Sequence, residues 1–369
     1  MRLAAVAVLG ILALACNPTS GGQTPGASSP AASVAGTQAA DLRTRLDLLL
    51  GEQVMIVAKE SAAAVNHSDD YAGYTALLTA NSSDLADLMR RAFGNSAAAQ
   101  LAQQWNVQNG YLVDYAIAVV THNDGKASGA MSGLTNGFVP QFAQLVSDVS
   151  QLPLDPVTQL TTQQVLEDKT FIDDVFAQRY PAFYKDLHTA YAQTSRLADA
   201  LAVQIAHKFP DKFPGDPSAH AVDVRVSLNN LLQEHSYLAT MATAAVVAGR
   251  SAERTASAAA LASNGDLLGT VFATAFGNSA GTQFDNVWTA KDAALVSYAT
   301  GDSTSKHALN DTFVNAFAGL AHANQSQVAA QVTATLKVID EQRAKSSRSL
   351  ASDDRAAATS MQPIADSIR

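Results

Sequence analysis

Cysteine is nearly absent from this chain, since Cys16 is the only one among 369 residues. A monomer with a single cysteine cannot form an internal disulfide, so the fold has to be stabilised by packing. Basic residues are scarce as well: 24 Lys and Arg stand against 33 Asp and Glu, and no run of five or more basic residues occurs. This balance argues against a partner that is a nucleic acid or an anionic lipid headgroup.

Long hydrophobic runs are also missing after the N-terminus. No later segment approaches the 18 or so consecutive apolar residues of a membrane-spanning helix. The nearest, residues 237–249, is too short and is interrupted by Thr240 and Thr243. A membrane-spanning helix is therefore not expected in the folded part of the protein.

The N-terminal segment has the features of an export signal. Arg2 gives it a positive start, and the apolar residues 3–14 are fewer than the roughly 20 that a permanent span needs. The small residues Ala13 and Ala15 precede Cys16. This arrangement resembles the lipobox of bacterial lipoproteins, in which the signal is cut before the cysteine and the thiol is acylated. The alternative is an ordinary signal peptide with a cysteine nearby by chance.

The lipobox resemblance implies a cellular location for the protein. Acylation of Cys16, for example with palmitate, would make an extracytoplasmic protein that is anchored to the cell membrane or outer membrane of a bacterium. The residues that follow, 17–40, are rich in Pro, Gly, Ser and Thr and contain no charged residue. Such a segment cannot bury a core, and as a flexible tether it would reach roughly 25 to 30 Å.

Two parts of the chain resemble each other at an offset of about 182 residues, which predicts an internal duplication. Residues 43–53 align with residues 225–235, and the sequence Ala-Phe-Gly-Asn-Ser-Ala occurs at 92–97 and again at 275–280. In each copy a tryptophan and a tyrosine follow, namely Trp105 and Tyr115 in the first and Trp288 and Tyr298 in the second.

The predicted boundary between the copies is the segment 209–218, where three prolines and a glycine exclude a continuous helix. The predicted organisation is a signal peptide at 1–15, a lipidated disordered linker at 16–40, a first helical repeat at 41–213 and a second at 218–369.

Each copy has the pattern of amphipathic helices. Leu42, Leu46, Leu49 and Ile56 recur at helical spacing among many alanines, and strand-like alternation is missing. The sequence therefore predicts an all-α fold of two tandem antiparallel helical bundles.

Several helix boundaries are also predicted. Gly94 is expected to end a helix with a left-handed cap, and Asn95 or Ser96 to cap the next one, with the same corner at 277–279. Further helix starts are expected at Ser83, Thr161 and Ser352.

Two short motifs suggest catalysis but lack the right context. Residues 277–281 match Gly-x-Ser-x-Gly around Ser279, yet a helical run precedes them where a nucleophile elbow needs a strand. Residues 303–306 match Ser-x-x-Lys, but the companion motifs of that enzyme class are missing. We therefore expect a protein without catalytic activity and without a cofactor.

The remaining candidates are a pair of acidic residues and one histidine. Glu52 and Glu234 occupy the same place in the first helix of each copy, followed by Gln53 and His235. The chain has no Glu-x-x-His motif, and its eight histidines are never three or four residues apart. Glu52, Glu234 and His235 are possible ligand or metal contacts, whereas the alternative is a core histidine that a neighbouring polar group satisfies.

The four aromatic residues that follow the repeated corner are possible pocket residues, with core packing as the alternative. Together, the Glu-His pair, Asn81 and Asn264, the Phe-Gly corner and the segment 209–213 make the chain similar to a group of exported bacterial helical proteins without an established activity. This resemblance implies a fold and a compartment but no reaction.

The sequence thus predicts a membrane-anchored extracytoplasmic lipoprotein with a binding or cell-envelope structural role. The alternative is a metal-binding or metal-sensing helical bundle that uses Glu234 and His235.

Overall fold

The computed structural model describes residues 35–368, and this part of the chain is α-helical without any β-strand. The all-α prediction is confirmed for these residues. The helices are α1 (Gln38–Val65), α2 (Tyr71–Val120), α3 (Asp124–Ser132), α4 (Val139–Ser150), α5 (Leu154–Phe176), α6 (Tyr180–Lys208), α7 (His220–Val247), α8 (Ser251–Phe276), α9 (Asn278–Ala299), α10 (Ser305–His307), α11 (Val314–Ala321), α12 (Gln325–Ala344), α13 (Leu350–Thr359) and α14 (Met361–Ser367). Two π-helical segments, Gly133–Phe138 and Ala308–Phe313, precede α4 and α11. Within the described range, no helix has both the length and the apolar character to cross a membrane.

The first helix begins before the end of the predicted linker. Thr37 caps α1, because its Oγ1 accepts a hydrogen bond from the backbone N–H of Ala40 at 3.2 Å. Ala39 and Ala40 are fully buried, so the last residues assigned to the linker belong to the folded part. Cys16, the signal peptide and linker residues 17–34 lie outside the described residues.

Helices α1 and α7 lie side by side at the centre and run in the same direction. Near their starts, the Asn230 amide donates to Asp47 Oδ1 at 3.1 Å. Near their ends, Lys59 Nζ donates to Thr240 Oγ1 at 2.7 Å. These partners are 183 and 181 residues apart, and a nearly constant separation along two helices means that they are parallel.

The repeated Gly-Asn-Ser corner bends the chain in both places, but not with the expected cap. Gly94 has φ 83° and ψ 176°, and Gly277 has φ 90° and ψ 159°. These angles lie in an extended region at positive φ that only glycine adopts readily, so the prediction of a left-handed cap is wrong. The chain turns on one extended residue and re-enters a helix at once. Asn278 is the first residue of α9, and no side chain caps that helix.

The other three predicted helix starts are wrong as well. Ser83 lies inside α2, Thr161 inside α5 and Ser352 inside α13. Each hydroxyl donates to a backbone carbonyl of the preceding turn, at 3.1, 2.8 and 2.8 Å respectively. Serine and threonine can satisfy their hydroxyls in this way within a helix, so their presence alone does not mark a helix start.

The segment between α6 and α7, residues 209–219, is irregular, as its prolines predict. Apolar side chains from both sides of this segment belong to one continuous core, which includes Trp105, Leu201, Tyr237 and Trp288. The internal duplication and the division into two domains stay predictions from the sequence.

Candidate functional site

The two acidic residues predicted as ligand contacts are buried between helices. Glu52 lies on α1 and is 3% exposed, and Glu234 lies on α7 and is 1% exposed. A carboxylate at this depth is stable only if it is paired or hydrogen bonded. Their partners therefore decide what these two residues can do.

Glu52 is held by side chains from α2 and α13. Arg355 donates from Nε to Oε1 at 3.0 Å and from Nη2 to Oε2 at 2.7 Å, a two-point contact that fixes the carboxylate. The Asn81 amide donates to Oε2 at 2.9 Å, and Trp105 Nε1 in turn donates to Asn81 Oδ1 at 3.2 Å. Glu52 is thus part of a satisfied network without an open position.

Glu234 is held in a related way by side chains from α6 and α8. His188 Nδ1 lies 2.7 Å from Oε1, and the Asn264 amide donates to Oε2 at 2.9 Å. The hydrogen bond to Glu234 raises the pKa of His188. Glu234 follows the irregular segment in the chain and His188 precedes it, whereas Glu52 precedes it and Arg355 follows it. Each carboxylate is therefore bound by a side chain from the other half.

His235 lies at the centre of a second polar group, the His235 cluster, formed by His235, Trp288, Lys291 and Asp292. His235 is fully buried, and Lys291 is 3% exposed. His235 Nε2 lies 2.7 Å from Lys291 Nζ and 3.0 Å from Asp292 Oδ1. Lys291 Nζ also lies 4.1 Å from the centre of the Trp288 ring, close enough for a cation–π contact.

Both ring nitrogens of His235 have polar neighbours. The Asn264 amide nitrogen faces the carboxylate of Glu234, so Asn264 Oδ1 is the acceptor that lies 3.0 Å from His235 Nδ1. Trp288 Nε1 donates to the same Nδ1 at 3.1 Å, while Nε2 lies between the ammonium of Lys291 and the carboxylate of Asp292. Burial lowers the pKa of His235 and of Lys291. Burial alone would raise the pKa of Asp292, but its contacts with His235 and Lys291 lower it.

The first half carries uncharged residues at the corresponding positions. Gln53 aligns with His235 in the first helix of each copy. Gln108 and Asn109 follow Trp105 at the same spacing at which Lys291 and Asp292 follow Trp288. The Gln53 amide donates to Asn109 Oδ1 at 3.1 Å in the buried interior. The charged group therefore belongs to the second half, as the replacement of the histidine by Gln53 suggests.

The arrangement around Glu234 and His235 leaves little room for a metal ion. Both oxygens of Glu234 and both nitrogens of His235 already face protein partners. Among residues 35–368, no three or more His, Cys, Asp or Glu side chains are grouped so that they could hold a metal. A cation in the His235 cluster would have to displace the ammonium of Lys291.

The four predicted pocket aromatics do not converge on a pocket. Trp105 borders only an apolar cavity of about 20 Å³, which has room for one water at most. Tyr115 donates to Asp173 at 2.6 Å, and Tyr298 donates to Asp340 at 2.8 Å, so both tyrosines lie outside the networks of Glu52 and Glu234. Trp288 packs against His235 with ring centres 4.8 Å apart.

Ser279, the serine of the Gly-x-Ser-x-Gly motif, is exposed at the start of α9. Its hydroxyl accepts a hydrogen bond from Gln283 at 3.2 Å. No histidine or carboxylate is hydrogen bonded to it within the described residues. The geometry thus agrees with a helix corner and gives no support to a hydrolase nucleophile.

Sequence reasoning missed a cleft of about 480 Å³, within the size range of small-molecule sites. Helices α1, α7 and α12 end around it, and in the turns that follow, His67, Gly249 and Lys345 adopt positive φ. The cleft is lined by Lys59, Ala62, Ala63, Asn66, His67, Ser68, Asp69, Asp70, Tyr74, Thr240, Met241, Ala244, Val247, Ala248, Arg250, Glu253, Glu341, Gln342, Lys345, Ser346, Ser347 and Leu350.

Lys59 is the most buried basic residue of this cleft. It is 6% exposed, and its ammonium forms an ion pair with Asp354 Oδ2 at 2.5 Å and donates to Thr240 at 2.7 Å. The rings of Tyr74 and Tyr237 lie 5.6 and 5.7 Å from Nζ. The signal in the sequence was a lysine that directly follows the apolar run 54–58 of a helix.

No family model, no curated protein and no solved structure matches this chain. Its function therefore has to be inferred from the residues and their geometry.

Replacing Lys291 by Met should strongly destabilise the protein, because the Asp292 carboxylate would lose its ammonium partner in a largely buried place. We expect the free energy of unfolding to fall by about 3 to 5 kcal/mol. Chemical denaturation at pH 7 measures this change.

The chain offers a matched control for that variant. The triple change His235→Gln, Lys291→Gln and Asp292→Asn copies the uncharged residues of the first half and leaves no unpaired charge. It should therefore cost less stability than Lys291→Met alone. A Lys291→Met protein as stable as the unmodified one would contradict the charge balance described above.

Proposed function

We propose that this protein is a lipid-anchored extracytoplasmic binding protein without catalytic activity, and that the cleft between the ends of α1, α7 and α12 is its binding site. The Cys16 motif supports the anchor. The observation that carries the binding role is the cleft itself, whose volume of about 480 Å³ suits a small ligand.

The position of the cleft fits an anchored receptor. A tether from Cys16 would enter the folded part at the N-terminal end of α1, near Thr37. Helix α1 has 28 residues and hence a length of about 42 Å, at 1.5 Å per residue. The cleft lies at the other end of this helix, so it would face away from the membrane.

The buried polar networks support a role without catalysis. Glu52, Glu234 and His235 are engaged with protein partners and do not border the cleft. The contacts of Glu52 and Glu234 join helices from both halves of the chain. We therefore assign them to the stability of the fold and not to a reaction.

The anchor can be tested by replacing Cys16 with Ala in the full chain. The variant should fold with an unchanged circular dichroism spectrum but lose the lipid, because the acylated thiol is gone. Membrane fractionation with mass spectrometry of the mature N-terminus measures both effects. A variant that still carries lipid and stays in the membrane fraction would refute the anchor.

The binding role can be tested by closing the cleft with Ala244→Phe. Ala244 lines the cleft, whereas Ala259 is exposed on α8 outside it, so Ala259→Phe is the matched control. A thermal-shift screen should use amino acids, short peptides, sugars and organic amines. At least one compound should raise the Tm of the unmodified protein and of Ala259→Phe but not of Ala244→Phe. If no compound does so, the cleft is not a binding site for these classes.

A further inference from the structure

The charges around the cleft fall into two kinds, those that neutralise each other and those that do not. Lys59 is paired with Asp354 at 2.5 Å, and Arg250 is paired with Glu253 at 2.5 Å. The Ser349 hydroxyl donates to Glu341, and burial raises the pKa of that carboxyl. The two ion pairs leave no net charge, whereas Glu341 is hydrogen bonded but has no basic partner among the described residues.

Besides Glu341, three charged residues of the cleft have no ion-pair partner within residues 35–368. Asp69 and Asp70 lie in the turn between α1 and α2, where Asp70 only accepts a hydrogen bond from Ser68 at 2.7 Å. Lys345 lies in the turn after α12. The cleft therefore has two unpaired aspartates in one turn and, at the end of α12, an unpaired lysine that follows Glu341 by four residues.

Lys59 adds a second positive contact at the bottom of the cleft. An ammonium has three hydrogen-bond donors. Asp354 and Thr240 take two of them, and no other described residue accepts the third. The third proton can therefore be donated to an acceptor oxygen of a ligand in the cleft.

The surface between these charged groups is largely apolar. Ala62, Met241, Ala244 and Val247 border the cleft between its corners. A ligand that fills the cleft would thus present an apolar middle and two charged ends. A single amino acid would leave much of the volume of about 480 Å³ to water.

We infer that the cleft binds a zwitterionic short peptide with free ends, whose ammonium group contacts Asp69 and Asp70 and whose carboxylate contacts Lys345 and the third donor of Lys59. This inference rests on the proposed function and specifies its ligand. A cationic amine has no acceptor group that could contact Lys345 and Lys59. An anion would be repelled by the carboxylates of Asp69 and Asp70.

Isothermal titration calorimetry with trialanine tests the inference on the mature chain at low salt. Trialanine should bind, whereas N-acetyl-trialanine and trialanine amide should each bind at least about tenfold more weakly, a loss of about 1.4 kcal/mol. The acetyl group removes the positive end, and the amide removes the negative end.

Variants test which charged residues of the cleft contact which end of the peptide. Lys345→Asn, which tolerates the left-handed backbone at that position, should weaken the binding of trialanine but leave that of trialanine amide unchanged. The double variant Asp69→Asn and Asp70→Asn should weaken trialanine but leave N-acetyl-trialanine unchanged. Lys185→Asn, an exposed change on α6, is the matched control and should have no effect.

The outcomes separate this inference from the proposed function. If trialanine and its capped forms bind equally, or if Lys345→Asn weakens the amide as much as the free peptide, the zwitterion inference is wrong. If other compounds bind in a way that Ala244→Phe abolishes while trialanine does not bind, the inference fails and the binding role stands. If nothing binds, both fail.

Discussion

The buried ion pair between Lys59 and Asp354 is the contact on which the centre of this structure depends. Its carboxylate also accepts hydrogen bonds from Tyr74 at 2.8 Å and from Thr240 at 2.7 Å, so one side chain of α13 joins α1, α2 and α7. Removing two charges from water costs several kcal/mol per ion, and only close pairing with further hydrogen bonds offsets that cost. The same lysine forms the bottom of the cleft, so the contact that holds the helices together also shapes the proposed binding site.

The parallel direction of α1 and α7 explains why a cleft forms where it does. If the two helices were antiparallel, their C-terminal ends would lie at opposite ends of the molecule. Side by side, they end together, and their turns, with that after α12, surround a common space. The crossed contacts of Glu52 with Arg355 and of Glu234 with His188 fix this arrangement, because each ties the centre of one half to a helix of the other.

The sequence predicts the helices, because they depend on local periodicity. It predicts fewer of the contacts between residues that are far apart in the chain. The spacing of Leu42 and Leu46 was enough to predict α1, and His235 is fully buried, which agrees with the alternative of a core histidine. By contrast, Arg355 lies 303 residues from Glu52, and no local pattern reveals that they meet. The start predicted at Ser83 was wrong for a local reason, since its hydroxyl bonds to the preceding turn. The cleft could not be predicted because it is made by three separate turns.

A double-mutant cycle on Lys59 and Asp354 tests the central claim most directly. The free energy of unfolding would be measured for the unmodified protein, for Lys59→Met, for Asp354→Asn and for the double variant. If the ion pair holds the central helices, each single change should cost about 3 kcal/mol or more, and the double variant should cost clearly less than the sum, with a coupling of about 2 kcal/mol. Additive losses, with a coupling near zero, would contradict the account.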